Sequence, residues 1–171
     1  MKKPWRSRKV LLLISILIGF YFIVYAQNDQ WYASDTGPAD LAEKMPLSTH
    51  AMTAQLKPNP GELVVIDSEG FIRKSMHANS HLVVGIVSTK PAHTLRSMIK
   101  ESVPVALSGL VPCKIISENG LIKPGDLIVS SSKPGYAMKA PAQILPGTVV
   151  GKAIGTQEND EDVVLVLVMM R

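Results

Sequence analysis

Short apolar runs separated by turn residues make up the chain after residue 60. The runs are rich in Val, Ile and Leu and are bounded by Gly, Pro, Asn or Ser, a pattern typical of β-strands. We predict strands at residues 62–67, 81–88, 103–107, 110–116, 127–130, 148–154 and 163–169. The pattern therefore predicts a mostly β fold class, as a compact barrel or sandwich.

Helical patterns are few and short beside these strands. Residues 27–59 are turn-rich and are predicted to form a linker, with one short helix at residues 38–45, where ADLAEK offers good helix formers. Residues 94–101 are the best candidate for one or two helical turns inside the β region. Neither segment is long enough to change the predicted fold class.

Pro-Gly pairs mark four turns in the β region, and they begin at Pro60, Pro124, Pro134 and Pro146. Proline presets φ for the first central position of a type II turn, and glycine adopts the positive φ that the second central position requires. We therefore expect each pair to start or reverse a strand.

Two stretches of the β region echo one another. Pro60 begins PGELVVIDS, and Pro124 begins PGDLIVSSS. A second element follows each stretch, LVVGIVS and then TVVGKAI, in which Gly85 corresponds to Gly151. Two elements in the same order at nearly the same spacing favour a duplicated unit.

A third element extends this echo. VPVALSGLV, which begins at Val103, corresponds to VVLVLVMMR, which begins at Val163. In this alignment Val103 is matched with Val163. The repeat units would then cover about 60–116 and 124–171, within a β domain at 60–171. The alternative is coincidence, since Val-Val-Gly and Pro-Gly-acid are common sequence patterns of strands and turns in β proteins.

The N-terminal residues 1–26 have the layout of an export signal. Lys2, Lys3, Arg6, Arg8 and Lys9 precede residue 10 without any acid, and residues 10–26 carry no charge. This layout is typical of a signal peptide or a signal anchor, so we predict one N-terminal hydrophobic helix and export across a bacterial inner membrane.

Cleavage and anchoring both fit residues 10–26. Val24 and Ala26 suit a cleavage site after Ala26, which would release the protein. As an uncleaved helix the run spans about 25 Å of a hydrocarbon core about 30 Å thick, with Trp31 and Tyr32 at the outer interface. The protein is thus membrane-anchored and faces away from the cytoplasm, or it is secreted.

The net charge of +4 at a pI near 9.2 belongs to this leader rather than to a basic surface. Of 18 basic residues, five precede residue 10, which leaves 13 against 14 acids in residues 27–171. Residues 27–171 therefore carry a net charge of about −1, and they contain no patch of interleaved basic and aromatic residues. This composition does not fit nucleic-acid binding.

The four histidines and one acidic cluster do not match a metal site, so no metal ligand is predicted. His77 and His81 have the spacing of a helical metal site, but Asn and Ser between them favour a solvated loop. His50 and His93 have no partner that the sequence identifies. The cluster at 158–162 lacks the spacing and central Gly of an EF-hand, so we expect a solvated hairpin tip.

No catalytic constellation can be assigned from the sequence, so no catalytic or cofactor-binding residue is predicted. Ser108, Ser130, Ser131 and Ser132 could be imagined as nucleophiles, yet Gly-x-Ser-x-Gly does not occur and the sequence assigns no His and Asp to any of them. Hydroxyl-rich turn chemistry is the better interpretation of these serines. The one cysteine, Cys113, cannot form an intramolecular disulfide and lies in the apolar LVPCKII, typical of a core position.

Most of the exported chain resembles a β domain found at the C-termini of bacterial and phage tail-fibre-like surface proteins. The run at 122–140 is the specific part of this resemblance. The matching segments are ADLAE at Ala39, PGELVVID at Pro60, VVGIVST at Val83, PVALSGLVPCKI at Pro104, IKPGDLIVSSSKPGYAMKA at Ile122, GTVVGKAI at Gly147 and the terminal LVLVMMR. More distantly, the chain looks like the self-cleaving, peptidase G2-type domains of phage appendage proteins.

The resemblance implies a β-rich terminal module, often trimeric, that helps fibres assemble or contact their surroundings. It carries over no active site, because no self-cleavage residue can be matched to a position here. The leader and a short linker, instead of a fibre repeat, precede the domain, which favours a small module on the envelope or a secreted one. We therefore expect a non-enzymatic structural protein that associates with itself. The eight uncharged residues 163–170 motivate this expectation, since such a run either fills a core or pairs with another subunit.

Two other functions stay open. The first is an autoproteolytic maturation domain, for which the four serines named above are the candidates. The second is a glycan- or cell-wall-binding module that would stack sugars on Trp31, Tyr32, Phe71 or Tyr136. Only 5% of the residues are aromatic, which places this module below self-association.

Overall fold

The computed structural model describes residues 39–49 and 56–169, which form ten β-strands and no α-helix. The strands are β1 Asp40–Pro46, β2 Leu63–Ile66, β3 Ile72–Lys74, β4 Val83–Ile86, β5 His93–Leu95, β6 Ser102–Ile116, β7 Leu127–Ser130, β8 Ala137–Lys139, β9 Val149–Ala153 and β10 Glu161–Val168. The predicted mostly β fold class is confirmed. The predicted N-terminal hydrophobic helix lies outside the described residues.

Five of the described strands close a barrel with two further strands at its side. The larger sheet has the order β10-β9-β7-β8-β6-β1-β5, and β10 also pairs with β6, which closes the ring through β6, β8, β7, β9 and β10. Strands β3, β2 and β4 form a second sheet in that order. Closure leaves none of the five ring strands with a long unpaired edge.

Strand β6 joins the barrel to the two strands at its side, β1 and β5. Its first half pairs with β1 and its second half with β10, and Gly109 takes part in both pairings, opposite Asp40 and opposite Val168. A Cβ on Gly109 would lie 2.5 Å from the Ala39 carbonyl oxygen, and its φ is +112°. Glycine is therefore required at this point. The two strands predicted at 103–107 and 110–116 are one strand, because paired neighbours carry it straight through the Ser-Gly pair.

The antiparallel strand pairs β2–β4 and β7–β9 share one register. Val64 lies opposite Gly85 in the first pair, and the corresponding Ile128 lies opposite Gly151 in the second. A register shift follows directly after Val64 in the first pair and after Ile128 in the second. The two echoing stretches thus build the same local structure, including the irregularity.

Each of these two strand pairs is hydrogen-bonded to a longer strand in the same way, the first to β6 and the second to β10. The Ser88 N–H donates to the Pro104 carbonyl of β6 at 2.8 Å, and the Ile154 N–H donates to the Leu165 carbonyl of β10 at 2.8 Å. These bonds make Pro104 equivalent to Leu165, whereas the sequence echo matched Pro104 with Val164. A shift of one position reverses which face each side chain occupies.

Burial agrees with the alignment that the hydrogen bonds define. Val105 and Val166 correspond in it and are both fully buried, and Val103 corresponds to the buried Val164. The expected match of Val103 with Val163 is wrong, since Val163 is 57% exposed. Apolar residues fill nearly every position of both strands, so the sequence pattern could not choose between the two alignments.

All four Pro-Gly turns form as predicted. Gly61, Gly125, Gly135 and Gly147 have φ values of +80°, +93°, +77° and +76°. In each turn the N–H of the residue after glycine donates to the carbonyl three residues earlier, at 3.0–3.4 Å. The positive φ and this hydrogen bond define the type II geometry that the dipeptide favours.

Both helix predictions are wrong where the structure describes them. The short helix expected at residues 38–45 of the linker is wrong, because residues 40–46 form strand β1, which pairs with β6 and β5. Residues 93–95 are strand β5, and residues 96–101 form turns and bends. Helix propensity contributes only tenths of a kcal/mol per residue, so pairing against an exposed sheet edge outweighs it.

The core consists of two clusters of aliphatic side chains. The larger fills the barrel and includes Ile115, Ile128, Val150 and Val166, with Cys113 among them. The smaller packs β2, β3 and β6 around Val105. Cys113 is fully buried, so its predicted core position is confirmed. Burial raises the pKa of its thiol far above the ordinary value.

Over residues 39–49 and 56–169 the fold offers no helix long and apolar enough to cross a bilayer. The predicted leader at 1–26 and most of the predicted linker at 27–59 lie outside the described residues.

Candidate functional site

Two candidate serines at the end of β7 are engaged by backbone groups. Ser130 is fully buried, and its Oγ donates to the His77 carbonyl at 2.8 Å and accepts from the Ser80 N–H at 2.9 Å. Ser131 is also fully buried, and its Oγ donates to the Tyr136 carbonyl at 2.9 Å. Both hydroxyls therefore hold turns together, in agreement with the turn chemistry predicted for them.

The other two candidate serines are exposed. Both the N–H and the Oγ of Ser132 donate to Oε2 of Glu118, at 2.8 and 2.9 Å. Ser108 lies in the middle of β6, opposite Leu41. Of the four candidates, Ser132 is the one whose hydroxyl is hydrogen-bonded to a carboxylate.

The histidines and the acidic cluster occupy surface positions. His77 and His81 lie in exposed turns, as predicted, and His93 is exposed in β5. His50 lies outside the described residues. The acidic cluster at 158–162 covers the end of the connection between β9 and β10 and the first two residues of β10, and it is largely exposed, as predicted. No group of three or more metal-ligating side chains occurs within the described ranges.

The aromatic candidates are dispersed. Phe71 is partly exposed at the start of β3. Tyr136 is half-buried, and the Lys133 ammonium lies 4.0 Å from the centre of its ring. Trp31 and Tyr32 lie outside the described residues. The described aromatic side chains therefore form no shared stacking platform.

A buried carboxylate with two lysines links three parts of the fold. Glu62, just before β2, has a side chain that is only 5% exposed and makes ion pairs at 3.0 Å with Lys74 of β3 and Lys114 of β6. The backbone N–H of Asn59 donates to its Oε2 at 2.8 Å. Gly135 packs so closely that a Cβ there would lie 3.0 Å from the Glu62 carboxyl carbon.

Hydrogen bonding keeps this carboxylate ionised. Burial by itself would raise the pKa of Glu62, but hydrogen bonds from Asn59, Lys114 and Lys74 outweigh it, so the pKa lies below its ordinary value. Both of its oxygens are engaged within the fold, which makes the cluster a structural junction rather than a reactive centre.

A second buried acid lies at the start of β1. Oδ1 of Asp40 accepts the Ser88 hydroxyl at 2.9 Å, while Oδ2 is buried without a hydrogen-bond partner in the described part of the chain. Burial raises the pKa of Asp40, and the Ser88 hydrogen bond offsets this in part. The pair joins β1 to the segment that follows β4.

An apolar groove of about 440 Å³ opens on the β7–β9 side of the barrel. Its walls come from β7, β9, the turn before β9 and the residue after β10. The lining residues are Leu127, Ile144, Leu145, Pro146, Gly147, Val149, Lys152 and Met169. Grooves of this size with few polar groups are typical of sites that receive an apolar side chain or peptide.

The turn at the rim of this groove also exposes apolar side chains. Leu145 is 60% exposed and Ile144 is 43% exposed. Clustered exposed apolar groups beside an apolar groove mark an interaction surface more often than isolated ones do. We call this surface, formed by Ile144, Leu145 and the groove, the apolar face.

The apolar run 163–170, expected to pair with another subunit or to fill a core, contains most of β10. This strand pairs with β6 on one side and with β9 on the other. Val164, Val166 and Val168 are buried in the core. The last strand thus completes the barrel. The apolar face was missed because Ile144 and Leu145 stand in a segment with no strand or helix period.

The fold is similar to two solved structures from bacteriophage phi29. The first is the pre-mature gene product 12, with a TM-score of 0.53 and 17% identity over 78% of this chain and 22% of that chain. The second is a C-terminal fragment of gene product 12, with a TM-score of 0.51 and 18% identity over 76% of this chain and 100% of the fragment.

These neighbours define the fold and no more. The chain spans only 22% of the length of the pre-mature protein but covers the whole C-terminal fragment. No protein-family model and no curated protein matches the chain. The resemblance to phage-associated β domains that the sequence indicated is therefore supported at the level of the fold.

Proposed function

We propose that this protein is a structural and interaction module that associates with further copies of itself through the apolar face. The observation that carries the proposal is an apolar groove whose lining includes two exposed apolar side chains, Leu145 and Ile144. The likeness of the fold to a C-terminal fragment of a phage protein supports a terminal, assembling module.

A second copy of the chain suits the apolar face because identical copies can bury their exposed apolar groups against one another. Leu145 and Ile144 are exposed and themselves line the groove beside β7 and β9. Packing this face against another subunit removes these apolar side chains from water. The contact pairs two identical faces in a dimer, or joins neighbouring subunits in a closed ring such as a trimer.

The matching strand pairs β2–β4 and β7–β9 support an origin by duplication. Matching register, matching irregularity and equivalent acid–lysine pairs all recur in the two halves. We propose that residues 60–116 and 124–171 descend from one repeated unit.

Export by the leader at 1–26, with the domain at the envelope or beyond it, is part of the proposed function, and the charge layout of the leader supports it.

The experiment compares the mass of the purified full chain in solution with that of Leu145→Asp, by size exclusion with light scattering in mild detergent. We expect oligomers for the parent and monomers for the variant, because a carboxylate cannot be desolvated in the groove without a partner. Leu121→Asp is the matched control, since Leu121 is 51% exposed and does not line the groove. A monomeric parent would contradict self-association, and an oligomeric L145D would contradict the surface.

A second candidate function is self-cleavage at Ser132. The observation that favours it is the hydrogen bond from the Ser132 hydroxyl to Glu118, since a carboxylate at 2.9 Å can accept the proton of a nucleophile. Intact mass of the full chain, followed over days, tests it. Two fragments that disappear in Ser132→Ala but persist in Ser108→Ala would support cleavage, whereas an unchanged single mass would exclude it.

A further inference from the structure

A second pocket, of about 370 Å³, lies beside β1 and the start of β6. Three lysines line it, Lys44 from β1, Lys57 before β2 and Lys100 before β6. One carboxylate, that of Glu101, lines it as well. The ionised side chains of the lining therefore sum to +2.

These three lysines differ from the lysines that stabilise the fold. Lys74, Lys114, Lys133 and Lys139 each form an ion pair with a described carboxylate. Within the described ranges no ion pair involves any of the three pocket lysines. Like charges around one small space repel each other, and a bound anion relieves this repulsion.

The wall of the pocket is a strained segment held in place. Arg96 and Glu101, at the two ends of the turn segment between β5 and β6, have φ values of +52° and +48°. The Leu47 N–H donates to the Glu101 carbonyl at 2.8 Å, and the Ser102 hydroxyl donates to the Ile99 carbonyl at 2.6 Å. Left-handed backbone at non-glycine residues is unfavourable and is concentrated at binding sites.

We propose that this pocket binds a compact oxyanion with two or more negative charges, of the phosphate type. Three ammonium groups supply up to nine donors, which match the several acceptor oxygens of a phosphate group. The ligand chemistry is shared by free phosphates and phosphate monoesters. Two net positive charges favour a divalent ligand over a monovalent carboxylate.

Lysine labelling on the full chain locates binding residue by residue. The chain is treated with an amine-acylating reagent at constant pH and ionic strength, with pyrophosphate, inorganic phosphate, glycerol phosphate or acetate present, and labelling rates are read by peptide mass spectrometry. We expect the phosphates to slow labelling of Lys44, Lys57 and Lys100 and to leave Lys90 and Lys123 unchanged. Glycerol phosphate separates monoesters from free phosphate as the preferred source.

Matched double variants test the pocket by affinity. K57Q/K100Q removes two exposed pocket lysines, and K90Q/K123Q removes two exposed lysines elsewhere, with the same change in charge. We expect pyrophosphate affinity, measured by calorimetry, to fall about tenfold or more in the first variant and to stay at the parent value in the second. Equal loss in both variants, equal protection of Lys90 and Lys123, or equal protection by acetate would each overturn the proposal.

Discussion

Glu62 and Asp126 hold equivalent positions in two Pro-Gly turns, those that begin at Pro60 and Pro124. Each carboxylate accepts the backbone N–H of the residue three positions earlier at 2.8 Å, from Asn59 in the first turn and from Lys123 in the second. Each also pairs with a lysine of the adjoining short strand, β3 or β8. Glu62 is more buried than Asp126 and pairs with a second lysine, Lys114, so comparing the two acids measures the combined effect of burial and of the second ion pair.

Glu62→Gln is expected to destabilise the domain by about 3 to 5 kcal/mol, because Lys74 and Lys114 would stay partly buried without their shared counter-charge. Denaturant unfolding of the full chain at neutral pH measures this. The pKa of Glu62 is below its ordinary value of 4.5, so its stabilising contribution is present above that value and is lost as the pH falls through the lowered pKa.

Asp126→Asn provides the control for this prediction. Asp126 and Lys139 have side chains 22% and 36% exposed, and such pairs contribute about 1 kcal/mol or less. A loss of stability in D126N equal to that in E62Q would contradict the role assigned to burial and to the second ion pair.

Gly151→Ala is expected to destabilise the domain by about 1 to 3 kcal/mol or more, through overpacking. A Cβ at Gly151 would lie 2.7 Å from Cγ1 of Val166 and would collide with the Leu167 backbone, which cannot move away in a paired strand. Gly155→Ala is the control, since nothing lies within 3.4 Å of a Cβ there. We expect a change within about 0.5 kcal/mol for this control. Similar urea midpoints for the two variants would count against this packing.

Asp40 is expected to make stability fall as the pH rises. Burial raises its pKa in the folded state, so its contribution is complete below the ordinary value of 3.8 and is lost as the pH rises through the folded value. The loss is at most about 1.4 kcal/mol per pH unit in that window. Urea unfolding from acid to neutral pH, compared with Asp40→Asn, measures it.

Ser88→Ala sharpens the assignment to Asp40. The Ser88 hydroxyl lowers the pKa of Asp40, so its removal should extend the window to higher pH. A difference between the parent and D40N that does not vary with pH would contradict the prediction.

Cys113 is expected to react with thiol reagents only after unfolding. Its side chain is fully buried, so a reagent cannot reach the sulfur in the folded domain. Burial also raises the pKa of the thiol, so the reactive thiolate does not form there. A chromogenic disulfide reagent should leave the native chain unlabelled and should detect one thiol per chain in denaturant. Rapid labelling of the native chain would place this strand outside the core.

Most of the local structure follows from short stretches of sequence. The Pro-Gly turns form because proline and glycine suit the two central positions by themselves. The runs that became β2, β4, β7, β9 and β10 were predicted because they are apolar, β-branched and bounded by turn residues. Strands β3 and β8 were missed, since such short strands show no period.

The candidate site was harder to predict than the turns and strands. The serines and histidines could be judged from missing motifs, and the structure agrees that Ser130 and Ser131 hold turns. The apolar face and the lysine pocket could not be found, because their lining residues come from segments that are distant in sequence and that only the folded chain brings together.

The sequence by itself determined a mostly β domain, its four Pro-Gly turns, a buried cysteine and two echoing halves, since each depends on residues within one short window. The tertiary structure alone decided that residues 40–46 are a strand, that β6 runs unbroken through Gly109, and that Val103 of β6 is equivalent to Val164 of β10. These features depend on pairing between distant strands, where hydrogen bonds and burial outweigh the small preferences of single residues.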